Sequence, residues 1–340
     1  MNWDIAGHEW AAELLSGQIV RGEQRHAYLI TGARGTGRRT LALRFAQALN
    51  CPQPQAPGQP CLTCRTCRQT AAMQLPDLSV ISADGEGSTI KVEQIRELGR
   101  TLSLTPYEAQ TRFALLLNFD SATISAQNAL LKTLEEAPPH VVLVLTALTT
   151  DTLLSTIVSR CEVLRLRPLS PEALADLLVS RWNLSPENAR LLAHLSSGRV
   201  GEALRLHEDP QLLEERQGWL EDILTLLASN RRERFAYSAG VTARVKRDRL
   251  KSLYQTWLLF WRDVFMRASR ANVPLINLDW DAAISSLAER LDPADIHRIL
   301  TGMEQALNTL DTTNTNPQLL TEVLLLDWPY LSEDTGWHGT

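Results

Sequence analysis

An apolar run, Ala27-Tyr28-Leu29-Ile30, feeds into Gly32-Ala33-Arg34-Gly35-Thr36-Gly37-Arg38-Arg39-Thr40, and a helix-forming stretch beginning Leu41-Ala42-Leu43 follows. No other feature restricts the fold as tightly. Strand, glycine-rich loop and helix in that order make a phosphate-binding loop: the glycines let backbone N–H groups converge on phosphate oxygens, and the helix N-terminus adds its dipole. Such a unit belongs to a layered α/β domain. The rest of the N-terminal half agrees, because apolar runs at 78–81, 113–117, 141–145 and 163–166 alternate with helical stretches at 92–102 and 125–136.

The loop departs from its template where the chemistry would happen. After Gly37 the template has Lys and then Ser or Thr, but Arg38 and Arg39 stand there. Lysine meets the outer phosphates as a compact charge on a flexible stem, whereas arginine is a longer planar fork. The hydroxyl position ligates Mg²⁺, and Arg39 puts a cation in its place. Thr40 does not compensate, since one residue along a helix turns a side chain by roughly 100°. Binding of ATP or ADP through Gly32, Gly35, Gly37, Arg38, Arg39 and Thr40 stays open, while hydrolysis is not expected. The other half of such a site needs acids at the end of a neighbouring strand, usually Asp followed by Glu. The run 113–117 ends instead in Asn118-Phe119-Asp120-Ser121, so Asp120 has no acidic neighbour and reads as a loop or capping residue.

Four of the five cysteines crowd together as C-x9-C-x2-C-x2-C: Cys51, Cys61, Cys64 and Cys67. Pro52, Pro54, Pro57, Gly58 and Pro60 keep the intervening loop stiff and non-helical. Four thiolates so spaced can close a tetrahedral Zn²⁺ site, with free thiols or an iron–sulfur cluster as the alternatives. Four protein ligands leave no open position, which makes the role structural. Metal is favoured over disulfides because a cytoplasmic protein is expected. The opening MNWDIAGHEW lacks a signal-peptide pattern, and no apolar run approaches the ~20 residues of a membrane span. The histidines, among them His8, His26, His140 and His194, form no metal-binding or catalytic spacing and read as structural.

With 34 basic against 39 acidic residues, a net charge of −5 excludes a generic polycation, so contact with DNA would be local or through partners. Only four of the basic residues are lysines. A length of 340 residues allows two or three domains. Beyond residue 169 strand patterns stop. Ser170-Pro171-Glu172 and Ser185-Pro186-Glu187 each read as cap, first-turn proline and first-turn acid, opening a short helical module. From about Pro210 to Tyr330 the pattern is helical throughout. A wide stripe there, including Leu250, Leu253, Tyr254, Trp257, Leu258, Trp261, Val264 and Phe265, reads as a bundle core or a partner interface. The basic run from Arg244 to Arg249 reads as a solvated helix face rather than a DNA contact, and the tail after Leu331 is expected to fray.

Further motifs carry a family resemblance. Asn128-Ala129-Leu130-Leu131-Lys132-Thr133-Leu134-Glu135-Glu136 with Pro138-Pro139, Ser159-Arg160-Cys161, Arg25-His26-Ala27-Tyr28-Leu29, Asn314-Thr315-Asn316-Pro317 and Leu324-Leu325-Leu326 resemble bacterial clamp-loader AAA+ subunits, in the right order over nearly the whole chain. The resemblance implies an α/β AAA+ P-loop domain at 1–168 with an inserted zinc module at 51–67. A small helical lid domain at 169–208 and an all-α collar domain for oligomerisation at 209–335 would follow.

The family contains ATP-hydrolysing gamma or tau subunits and a member whose own nucleotide site is defective. Three departures point to the latter: the Arg38-Arg39 pair, the missing acidic pair after Leu117, and Gly201. In Gly198-Arg199-Val200-Gly201-Glu202-Ala203-Leu204, Gly201 occupies the place of the family's sensor-2 arginine. The chain also ends without the long extension of a tau-type protein.

On its own, Arg160 would cap a helix or pair with Glu162. Within Ser159-Arg160-Cys161, set on a helix that leads into the strand, the resemblance makes it an arginine finger reaching into an adjacent subunit's ATP site, with Cys161 a packed thiol. The implied role is in DNA replication, as a non-catalytic part of the ATP-driven clamp loader of the DNA polymerase III holoenzyme. The implied partners are gamma/tau and delta subunits and, through the complex, the sliding clamp and primer–template DNA, with no membrane. The rival readings are an active gamma/tau-type ATPase and a zinc-bearing AAA+ adaptor outside replication.

Overall fold

A computed structural model describes residues 3–83, 85 and 88–331, so the expected fraying tail and the expected end of the collar at 335 lie outside the described residues. The chain forms two compact units. One comprises the chain up to Asn183 with Gly198–Glu202, and the other Leu184–Ser197 with the chain from Ala203 onward.

The first unit runs α1 (Glu9–Arg21), β1 (Ala27–Thr31), α2 (Arg38–Asn50), α3 (Arg65–Ala71), β2 (Leu78–Ile81), α4 (Val92–Leu102), β3 (Arg112–Leu116), α5 (Ile124–Glu135), β4 (Val141–Ala147), α6 (Ser155–Val158), β5 (Glu162–Arg165) and α7 (Pro171–Trp182). The five strands pair in parallel in the order β2-β3-β4-β1-β5. A parallel sheet is covered on both faces, which is why its strands read as unbroken apolar runs. Alternate residues serve opposite layers. Tyr28, Ile30, Phe113 and Leu115 join Leu15 of α1 and Phe45 of α2, while Leu29, Ala114, Leu116 and Leu143 join Leu98 of α4 and Leu130 of α5. Phe45 meets Tyr28 and Phe113 edge-on at 4.9 and 5.9 Å. Because β1 lies between β4 and β5, its C-terminal end is a switch point of the topology, where open α/β sheets place their ligands.

The loop entering β3 is organised by one carboxylate. Asp77 accepts hydrogen bonds from the amides of Tyr107, Glu108 and Ala109 at 2.8–2.9 Å and pairs with Arg112 at 3.1 Å. Burial alone would raise its pKa, but the three amides and the guanidinium outweigh it and hold the carboxyl below its usual value.

The helices that follow are α8 (Pro186–Leu195), α9 (Val200–Glu208), α10 (Pro210–Ala228), α11 (Arg231–Arg244), α12 (Arg247–Ala268), α13 (Asp281–Arg290), α14 (Pro293–Thr312) and α15 (Pro317–Leu326). Ser170 and Ser185 cap α7 and α8 through the amides of Ala173 and Asn188. The aromatic stripe of α12 is core: Tyr254, Trp257 and Trp261 are fully buried among Ile223, Ile299, Met303 and Trp328. The basic run from Arg244 to Arg249 is not one helix face, because α11 ends at Arg244 and α12 begins at Arg247. Arg247 donates to the carbonyl of Leu310, and Arg249 pairs with Glu215 and covers the Trp219 ring. No helix among the described residues is long and apolar enough to cross a membrane.

Candidate functional site

β1 hands over to the glycine loop, and α2 begins beyond it with Gly37 as its cap and no side-chain capping bond. Gly35 and Gly37 have φ of 83° and 92°, a left-handed backbone that glycine adopts without strain. Thr36 Oγ1 turns back to the Ala33 carbonyl at 2.8 Å, and Arg39 and Thr40 are exposed. Arg38 folds inward. Its Nη2 lies 3.2 Å from Asn118 Oδ1 at the end of β3, and its Nη1 is buried with no hydrogen-bond partner. Burial lowers the Arg38 pKa, Asp120 opposes that shift and Arg34 adds to it. The guanidinium therefore reaches the C-terminal end of β3. Asp120 lies in a 3-10 turn, Phe119–Ser121, rather than in a loop, and accepts the Leu148 amide at 3.3 Å.

Gly201 sits directly against this loop. Its amide donates to the Gly35 carbonyl at 2.8 Å, and a Cβ on Gly201 would stand 3.0 Å from that oxygen. A side chain at position 201 would require one of the two backbones to move.

Ser159-Arg160-Cys161 lies just past α6 rather than on a helix, with Ser159 as its C-cap. Gln127 of α5 fixes the approach to α6, accepting the Leu154 amide at 2.9 Å and donating to the Ala122 carbonyl at 3.3 Å. Arg160 donates to the Thr156 carbonyl at 3.0 Å, and its Nη2 is 2.7 Å from Glu135 Oε1. Glu162 has a different partner from the one its proximity to Arg160 suggests: Gln18 Nε2 binds both its oxygens at 2.9 and 3.0 Å, and Tyr28 in turn donates to Gln18. Burial raises the Cys161 thiol to about 12, consistent with a packed, protonated side chain. A cleft of about 870 Å³ beside Arg160 is lined by Arg21, Arg25, His26 and Glu162.

The two arginine sites are far apart. Because β1 and β5 run parallel, the loop follows the C-terminal end of β1 while Arg160 precedes the N-terminal end of β5. A strand's length, roughly 15 Å, separates them, beyond the reach of an arginine side chain. Glu135 and Asn118 are partners that spacing alone does not reveal, since each meets its arginine across the fold.

The four cysteines converge. Cys51 follows α2, Cys67 lies on α3, and all four Sγ atoms fall within 4.8 Å of one another, with Cys51–Cys61 at 3.5 Å and Cys61–Cys67 at 3.9 Å. Tetrahedral coordination at a Zn–S distance of about 2.3 Å demands S···S separations of about 3.8 Å, so the donor set fits a metal ion. The amides of Cys64 and Thr63 stabilise the Cys61 thiolate and bring its pKa down to about 6, whereas burial pushes Cys51 and Cys67 up. Trp3 Nε1 anchors the cysteine loop through the Gly58 carbonyl at 2.8 Å. His26 donates to the Leu134 carbonyl, His194 donates to the Leu275 carbonyl, and His8 is buried.

Residues 7–170 match the family model described as DNA polymerase III, delta subunit, and residues 210–329 match its C-terminal counterpart. The chain is 36% identical to DNA polymerase III subunit delta′ of Bacillus subtilis over 204 residues, spanning 60% of this chain and 60% of that one. It is 30% identical to subunit delta′ of Pseudomonas aeruginosa over 330 residues, covering 95% and 98% of the two chains. A gamma subunit-related protein of Thermotoga maritima shares the fold at a TM-score of 0.50 and 19% identity, with 93% and 97% coverage.

Proposed function

The chain belongs to the DNA polymerase III delta-prime clamp-loader subunit family, and from that premise we propose a subunit that does not hydrolyse ATP itself but lends Arg160 to a neighbour's ATP site. The observation that carries this reading is the placement of Arg160 at the end of the sheet opposite its own phosphate loop. An arginine so placed is out of reach of its own loop, so any nucleotide that it serves is held by another chain. There a delocalised cation stabilises the charge that develops on the transferred phosphoryl group, an effect of roughly 10³–10⁵ in rate where such fingers act.

Three features of the chain's own loop support the absence of hydrolysis. Arg38 occupies the metal's side of the loop, no carboxylate pair follows β3, and Gly201 supplies no sensor arginine. The subunit's partners in this reading are gamma/tau and delta subunits, and the assembled ring places the sliding clamp on primed DNA in the cytoplasm. Cys51, Cys61, Cys64 and Cys67 would hold Zn²⁺, which when bound supplies a cross-link of the loop between α2 and α3. The test against an active gamma/tau-type ATPase is turnover by the isolated chain with Mg²⁺ and ATP. Background turnover is expected, and robust metal-dependent hydrolysis would reassign the protein.

A further inference from the structure

Arg160 is already engaged within its own subunit. One nitrogen donates to the carbonyl of Thr156, four residues earlier, and another is paired with Glu135 at 2.7 Å. We propose that Glu135 is a positioning residue that parks the Arg160 guanidinium and restrains its delivery to a neighbouring subunit's phosphate, an inference that rests on the finger reading above.

Glu135 is the last residue of α5, where the helix carbonyls leave a partial negative charge and a carboxylate is disfavoured. Helix stability therefore does not account for it, but a cation docked at that end does. In the docked state the carboxylate neutralises the guanidinium, so little positive potential faces outward. The two side chains are 37% and 52% exposed, which makes the pair weak and its exchange for another anion inexpensive. A nucleotide's outer phosphate carries more charge than a carboxylate and matches the arginine fork equally well. The cleft next to Arg160 is lined by Arg21, Arg25 and Arg160 against Glu23 and Glu162, so an arriving anion meets an excess of one positive charge. Arg21 is paired with Glu23, and Arg25 lies 3.9 Å from Glu162, so neither competes for Glu135. Glu135 thus sets a threshold: the finger moves only when a phosphate is presented close enough to outbid it.

The experiment uses the complex reconstituted with gamma/tau-type and delta subunits and measures ATP turnover and KM with and without primed DNA and clamp. Glu135→Gln, which keeps the size but removes the charge, is expected to raise DNA-independent turnover or lower KM about two- to fivefold. Glu135→Ala should act in the same direction, and neither should have an effect in an Arg160→Ala background. If Arg160→Ala lowers stimulated turnover while Glu135→Gln leaves DNA-independent turnover and KM unchanged, or worsens either, the restraint is wrong and the finger reading stands. A Glu135→Gln effect that persists without Arg160 also overturns the restraint. Stimulated turnover unchanged by Arg160→Ala overturns both readings.

Discussion

The Gly201 amide donates to the Gly35 carbonyl at 2.8 Å, tying the first turn of α9 to the glycine-rich loop after β1. The contact leaves little room for a side chain at position 201, because a Cβ would lie 3.0 Å from a backbone oxygen that cannot rotate away. Gly201→Ala is expected to destabilise the protein by about 1 kcal/mol despite its better helix propensity. That corresponds to a fall in Tm of roughly 2–4 °C, read by thermal unfolding. Gly201→Arg should be at least as costly and should not create ATP turnover.

Restoring the loop's side chains should not restore hydrolysis either. Arg38→Lys combined with Arg39→Thr recreates the charge and the hydroxyl of a working loop, but Asn118 and Asp120 still offer no paired carboxylates. Tighter binding of ADP by the double variant, measured by calorimetry, is compatible with this account. Mg²⁺-dependent turnover above background is not.

Asp77 gives the fold a defined acid sensitivity. Its folded-state pKa is depressed from 3.8, so the stabilisation is fully present above about pH 4 and is lost as pH falls through the folded value. Asp77→Asn removes one partner of a buried ion pair and weakens a three-amide cradle. A loss of about 3 kcal/mol at neutral pH is expected, with the difference from wild type shrinking in acid. Denaturant titrations at pH 7 and below pH 4 would decide it, and an equal difference at both would contradict the assignment.

Much of the first unit was legible because parallel strands announce themselves as apolar runs. β2 and α4 fall where their patterns place them, and β1, β3, β4 and β5 differ from expectation by one or two residues. The cysteine cluster was equally readable, since local spacing determines which thiols can meet. The partners of Arg38 and Arg160 were not. Asn118 reaches Arg38 across 80 residues of sequence, and Glu135 reaches Arg160 from the end of α5, so nothing in local periodicity points to either pair. The basic run at 244–249 straddles a helix break, so it is not one helix face: Arg247 is taken up by the Leu310 carbonyl and Arg249 by Glu215, while Arg244 and Lys246 are exposed.

The cysteine site is expected to hold one Zn²⁺ per chain. Cys64→Ser should abolish stoichiometric metal, measured by elemental analysis, and expose the 51–67 loop to proteolysis while the sheet remains folded. Protein purified without chelators and carrying no zinc would contradict the assignment.

The central claim is that Arg160 acts on another chain's nucleotide. Its most direct test is stimulated ATP turnover by a reconstituted complex in which only this subunit carries Arg160→Ala. The prediction is a correctly assembled ring with the adjacent ATP site slowed by roughly 10³-fold or more. An intact ring whose stimulated turnover, resolved at that site, equals wild type would contradict it.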